Sequence, residues 1–215
     1  MYNILVSNQT AARFLKNVLQ YTMTLTLFKL AELYYVYLCL LSTQFDHMAI
    51  IVGIGGVSRA GKTFLAEKIA LERPSGIRSI LPQDEFVKPK HEIPLINGHI
   101  DWESPESIDF PGYKNAIIKA SVHPGILIAE GLLTFFDPGI VQLFNKIIFI
   151  SLTFEEFRRR KQTDLRWGKE PEWYIRHIWD SYLHYGQCPA VGTDTMFIKG
   201  EMDFNIAEVM KFIDS

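Results

Sequence analysis

Eight consecutive residues, Gly56, Val57, Ser58, Arg59, Ala60, Gly61, Lys62 and Thr63, fit the spacing G-x-x-x-x-G-K-[ST]. That spacing suits one task. A tight, glycine-bearing turn aims successive backbone N–H groups at phosphate oxygens. A helix starting at Lys62 presents its positive end to the same anion. The Lys62 ammonium can meet the β- and γ-phosphates, and the Thr63 hydroxyl can bind Mg2+. With glycine at about 7% of residues, a chance match in a chain this long has a frequency on the order of 1%. The motif follows an apolar run and precedes a helical pattern, which argues for a nucleoside triphosphate site.

Two acids stand where a parallel sheet would deliver them to that site. Asp84 follows an expected strand at 77–81, and Glu130 follows another at 125–129. Ligands of open parallel sheets bind beyond the carboxyl ends of the strands. An acid placed there can hold Mg2+ or take a proton from an attacking hydroxyl. Each could instead cap a turn. Glu85 is the weaker candidate beside Asp84.

The elements that must position these groups alternate. Strands are expected at 49–54, 77–81, 125–129, 146–151 and 195–198. Helices are expected at 62–72, 111–120, 171–185 and 203–213, with a loop at 83–98. The helix at 62–72 carries Phe64, Leu65, Ile69 and Leu71 at helical spacing. Thr153 and Glu156 form a capping-box pattern for a further helix bearing Arg158, Arg159, Arg160 and Lys161. Alternating apolar strands and helices predict an α/β fold with a mostly parallel sheet covered on both faces.

Composition narrows the setting. The formal charge is −2, so no basic surface suggests a nucleic-acid partner. Two cysteines, Cys39 and Cys188, exclude a disulfide-dense scaffold and a four-cysteine zinc site. A reducing, cytoplasmic location is expected. The six histidines show no His-Glu-x-x-His spacing. His177 and His184 are expected to pack or meet solvent, and Cys188 to be structural.

The chain breaks near residue 47. No glycine or proline precedes it, whereas all 14 Gly and all 10 Pro follow. Residues 21–41 are long enough to cross a membrane, but Lys29 and Glu32 sit near their middle. Each central charge costs about 2.5–3.5 kcal/mol, which nearly cancels the apolar gain. Membrane association is therefore not expected. Residues 1–47 read as an extension before a start at Met48, as a membrane- or partner-binding helix, or as a packed helical addition. Residues 48–215 read as the functional domain.

Taken together, the motifs resemble the nicotinamide riboside kinases, within the uridine kinase-like group of phosphate-loop kinases. The matching stretches are 51–63, 83–89, 97–103, 105–109, 128–133, 155–160 and the region around His177, Trp179, Tyr182 and Tyr185. They span 48 to about 200. The element Gln83, Asp84, Glu85, Phe86, Val87, Lys88, Pro89 is more specific than the phosphate loop. The resemblance implies a three-layer phosphate-loop nucleoside kinase fold with a small helical lid. It also implies transfer of the ATP γ-phosphate to the 5′-hydroxyl of a ribonucleoside.

In that reading Asp84 is the general base and Lys62 the catalytic cation. Residues 56–63, neighbouring Phe64 and the lid residue Arg160 bind ATP. Thr63, Asp84 and Glu130 take Mg2+. Asp84, Glu85, Phe86, Val87, Trp102, Glu103 and Lys161 line the acceptor side. Phe86 and Trp102 match aromatic positions bordering the nucleoside pocket, and Glu103 falls where an aspartate usually binds the ribose hydroxyls. A pyridinium ring would be attracted to an aromatic face. Trp102 could instead be ordinary core packing, and Arg158 and Arg159 a solvated helix face.

Several positions depart from the family. Lys161 stands where arginine is frequent, and Asp164 replaces another basic residue, for which Arg166 could substitute. Lys199 and Gly200 replace an acidic-glycine pair. Two other readings stay open: a kinase for uridine, cytidine or another small hydroxyl compound, and a nucleotide-dependent switch without an acceptor.

Overall fold

The computed structural model describes residues 48–74, 76–164, 168–189 and 194–215, together with residues 29, 33 and 34. The chain divides into two units, Met1–His47 and Met48–Ser215. In the first, Lys29, Leu33 and Tyr34 are helical. The rest of the 21–41 window lies outside the described residues. Among the described residues no helix is long and apolar enough to cross a membrane.

The second unit runs β1 (Ala49–Gly56), α1 (Lys62–Glu72), β2 (Ile77–Pro82), β3 (Leu95–Ile96), β4 (His99–Ile100), α2 (Phe110–Ser121) and β5 (Gly125–Gly131). It continues through α3 (Pro138–Val141), β6 (Lys146–Ser151), α4 (Phe154–Thr163), α5 (Glu172–Tyr185), β7 (Asp194–Lys199) and α6 (Ile206–Ile213). Five strands form one sheet in the order β2-β5-β1-β6-β7. All four pairings are parallel.

The handedness of crossovers distributes the helices. From β1 the chain moves across β5 to β2, then steps back to β5. Right-handed connections running in opposite directions place α1 and α2 on opposite faces. Helix α6 packs beside α1. Strands covered on both faces must be apolar throughout, and Leu127, Ile128, Ile148 and Ile150 are fully buried.

Helix α1 is narrower in its burial than its apolar spacing suggests. Leu65 and Ile69, one turn apart, are fully buried, whereas Phe64 is 54% and Leu71 71% exposed. Burying each of the inward pair contributes about 1.5–3 kcal/mol.

Two local expectations change. The stretch 83–98, read as loop, holds 3-10 turns at Gln83–Phe86 and Lys90–Glu92 and the first strand of a small hairpin. Leu95 pairs with Ile100, and Ile96 with His99, around Asn97 and Gly98, both at positive φ. The Asn-Gly pair is the sequence signal for that turn. At α4 only half the capping box forms. Thr153 Oγ1 accepts from Glu156 N at 3.3 Å, but the Glu156 carboxylate turns to Arg159 and Arg160. Charge-assisted bonds to two guanidiniums outweigh one neutral amide. The Thr153 N–H donates instead to Glu201 Oε1 at 2.7 Å.

Candidate active site

The loop between β1 and α1 starts with Gly56 at φ +145°, where a Cβ would sit 2.2 Å from the Ile150 carbonyl oxygen. It ends with Gly61 at φ +100°. Between them Arg59, a non-glycine residue, takes φ +66°. Such left-handed backbone costs about 1–3 kcal/mol and persists only where its surroundings impose it. Here Ala60 N donates to Val57 O at 3.1 Å, and Arg160 Nη1 donates to Arg59 O at 3.1 Å. Val57 and Ala60 are buried, Ser58 is half-buried, and exposed Phe64 lies 6.1 Å from the Phe204 ring. The half-buried Lys62 donates from Nζ to Val57 O at 3.1 Å.

Sheet register brings the acids to this loop. Glu130 is level with Ile54 of β1 and with Pro82 of β2. The Thr63 hydroxyl donates to Glu130 Oε1 at 2.7 Å. Asp84 sits two residues beyond Pro82 on the 3-10 turn and is exposed, as is Glu85. Buried Gln83 pins that turn, its Oε1 accepting from Leu133 N at 2.9 Å. Burial lowers the Lys62 pKa, while Glu130, Asp84 and Glu103 pull it back. Burial raises the Glu130 pKa against the opposing pull of Lys62 and the Thr63 bond. Lysine and three carboxylates thus share one electrostatic neighbourhood.

Glu103, half-buried, follows the small β3–β4 hairpin and acts on the charge of Lys62. Burial pushes its carboxyl up to about 7; Lys161 and His177 oppose this, and Asp84 and Glu170 reinforce it. Its N–H donates to Asp101 Oδ1 at 3.2 Å, and the same oxygen lies 2.7 Å from His177 Nε2. His177 therefore ties the 101–103 segment to α5 rather than merely packing or meeting solvent. The Tyr174 hydroxyl donates to Ile100 O at 3.4 Å, and its ring lies among Trp173, His99 and His177. Trp102 is 38% exposed, so it is not core packing. Phe86 lies half-buried 5.0 Å from the Tyr113 ring, and Val87 is bridged to Ile108.

Trp173 and Tyr174, which the sequence reading did not single out, stand beside His99 of the β3–β4 hairpin. Both open an aromatic-rich helix some 70 positions from Trp102, and nothing local marks which rings face the hairpin.

Helix α4 contributes bases that are already paired. Arg158 meets Glu172 at 2.5 Å, and Arg159 meets Glu156 at 2.7 Å. Arg160 binds Glu156 at 2.6 Å and Gly200 O at 2.7 Å, besides Arg59 O. Lys161, buried, meets Glu170 at 2.8 Å. Asp164 lies 3.6 Å from Arg59. Arg166 lies outside the described residues. Cys188 is a half-buried free cysteine whose thiol pKa is raised by burial.

Known proteins align with most of this second unit's length. Nicotinamide riboside kinase 1 of Homo sapiens is 30% identical over 154 residues, covering 64% of this chain and 76% of that protein. The chain belongs to the nicotinamide riboside kinase family. The Mus musculus nicotinamide riboside kinase 1 is 29% identical over 168 residues, covering 70% of this chain and 85% of its own. No family model matches the chain. A crystal structure of a sugar kinase from Janibacter superposes with TM-score 0.53 at 16% identity, covering 77% of this chain and 95% of that one, which shows the fold. As a member of the nicotinamide riboside kinase family, the protein is a nucleoside kinase, a phosphotransferase with a small-molecule ribonucleoside as substrate.

Proposed function

We propose that the protein moves the γ-phosphoryl group of ATP to the 5′-hydroxyl of nicotinamide riboside, or a related pyridine riboside. The product mononucleotide would feed NAD salvage. The observation that carries the reading is the acceptor side. Glu103, hung on Asp101 and His177, stands beside the cluster of His99, Trp173 and Tyr174, with Trp102 next to it in sequence. Carboxylate oxygens suit the donors of a ribose diol, and aromatic faces with nearby anions suit a cationic pyridinium.

In the transfer, Asp84 takes the proton of the 5′-hydroxyl as its oxygen pair attacks the γ-phosphorus. The bond from that phosphorus to the β,γ-bridging oxygen breaks, and ADP leaves with the electron pair. Lys62 and the loop N–H groups stabilise the charge on the transferring group. Thr63, Glu130 and Asp84 offer oxygen donors only, a set that fits Mg2+, which takes one or two carboxylates and completes its shell with phosphates and water. Mg2+ held there would neutralise phosphate charge. Arg160 would reach ATP by exchanging one of its present bonds.

The test is ADP release by the full chain with Mg-ATP and one acceptor at a time: nicotinamide riboside, nicotinic acid riboside, uridine, cytidine or none. Turnover of the pyridine ribosides supports the proposal. A preference for uridine or cytidine keeps the kinase and overturns the substrate. ADP release indifferent to every acceptor favours a nucleotide switch.

A further inference from the structure

The bases around the phosphate loop are held unequally. On α4, Arg158, Arg159, Arg160 and Lys161 each lie 2.5–2.8 Å from a glutamate. Arg160 also donates to two backbone carbonyls, Arg59 O and Gly200 O. Arg59 is different. It lies inside the loop itself, its side chain is 37% exposed, and its Nε stands 3.6 Å from Asp164 Oδ2. At that separation the contact is an ion pair and not a hydrogen bond. The Asp164 side chain is only 5% exposed, so the anchor is buried while the cation reaches solvent.

Resting on the ATP-binding reading above, we propose that Arg59 is the mobile phosphate-binding cation of this site, and that Asp164 is its docking point when no nucleotide is bound. Three observations carry it. Arg59 occupies the fourth position of a loop whose backbone is shaped for phosphate, and at its left-handed φ its carbonyl accepts a bond from Arg160. Its guanidinium is the most loosely paired of the five basic side chains just compared. Its partner belongs to the C-terminal end of α4, so releasing it breaks no contact within the loop. A planar guanidinium can bind phosphate through two parallel bonds, so the exchange replaces a loose carboxylate contact with a bidentate one. Arg160 in this scheme supports the loop backbone, and Asp164 is a positioning residue that competes with the nucleotide for Arg59.

Competition and simple bracing predict different signs. Affinities for Mg-ATP, Mg-ADP and AMP would be measured by titration calorimetry on the full chain, wild type, Arg59→Asn, Arg59→Lys and Asp164→Asn. Asparagine tolerates the left-handed backbone, so Arg59→Asn removes the charge with little added strain. Arg59→Asn should weaken ATP about tenfold or more and AMP little. Asp164→Asn should leave ATP affinity unchanged or tighten it up to several-fold. Arg59→Lys should fall between wild type and Arg59→Asn. If Arg59→Asn and Asp164→Asn weaken ATP alike and lower the melting temperature alike, the pair is only a brace and the proposal is wrong. Unchanged ATP affinity in Arg59→Asn also overturns it. If Arg59→Asn does not fold, ATP affinity of Arg59→Lys equal to wild type overturns the bidentate contact, and a several-fold loss supports it. Wild-type protein that binds no ATP would sink the ATP-binding reading itself, before any variant is compared.

Discussion

The Thr63 hydroxyl donates to Glu130 Oε1 at 2.7 Å, joining residues 67 positions apart. The bond links the first turn of α1 to the end of strand β5 and fixes both at the carboxyl edge of the sheet. Burial raises the pKa of Glu130, and Lys62 and the Thr63 bond oppose that shift. Glu130→Gln keeps an acceptor for Thr63 and removes the charge. We expect kcat to fall about 10²-fold or more, with a melting temperature within a few degrees of wild type. Steady-state kinetics beside calorimetric melting checks both, and undiminished kcat would remove Glu130 from the site.

Asp84 makes a separate prediction because it is exposed and outside the Thr63 bond. As a general base it should be worth about 10²–10⁴-fold in kcat. Asp84→Asn should show that loss with the ATP KM changed only a few-fold. A variant that loses ATP binding while keeping single-turnover chemistry would mean that Asp84 serves the nucleotide instead.

Glu103 should write its titration into the pH profile. Its carboxyl sits at about 7, and ionised it accepts ribose hydroxyls and attracts a cationic ring. Acceptor kcat/KM should therefore rise with pH through about 7. Stability runs the other way: a carboxyl whose pKa is raised by folding stabilises the native state when protonated, and this contribution is lost as pH rises through 7. Glu103→Gln should flatten the rising limb. A limb that persists in the variant assigns it to another group.

The buried pair Lys161 and Glu170 should be sensitive to losing one partner. Removing one ion from such a pair typically costs about 3–5 kcal/mol. At about 2–4 °C per kcal/mol for a domain of this size, Lys161→Met should lower the melting temperature by roughly 6–20 °C. Lys161→Met with Glu170→Leu should recover much of it. A single variant as stable as wild type would show the pair to be dispensable.

We also propose that residues 48–215 suffice for catalysis. Protein lacking residues 1–47 should match the full chain in kcat within about twofold, and loss of soluble, active protein would show that the first unit is required.

Much of this was readable in one dimension. The loop from Gly56 to Thr63 is contiguous, so its chemistry follows from residue type and spacing alone. Apolar strands alternating with helical patterns predicted the parallel sheet, and two of those strands lead to Asp84 and Glu130. Parallel packing leaves strands no polar face, so this pattern survives in the sequence. The Asn97–Gly98 turn left a signal that the reading of 83–98 as loop did not use: two successive positive φ angles favour those residue types.

Tertiary structure decided what depends on long-range approach. Asp164 reads in the sequence as a lost basic residue, and only the fold sets it against Arg59, 105 positions earlier. Glu156 reads as half of a capping box, until two arginines one turn on claim its carboxylate. His177 reads as packing or solvent-facing, until the folded chain brings Asp101 to within 2.7 Å. A side chain's type limits which partners it can take. Which partner it gets is settled by what the folded chain brings within a few ångströms, and sequence spacing carries no record of that distance.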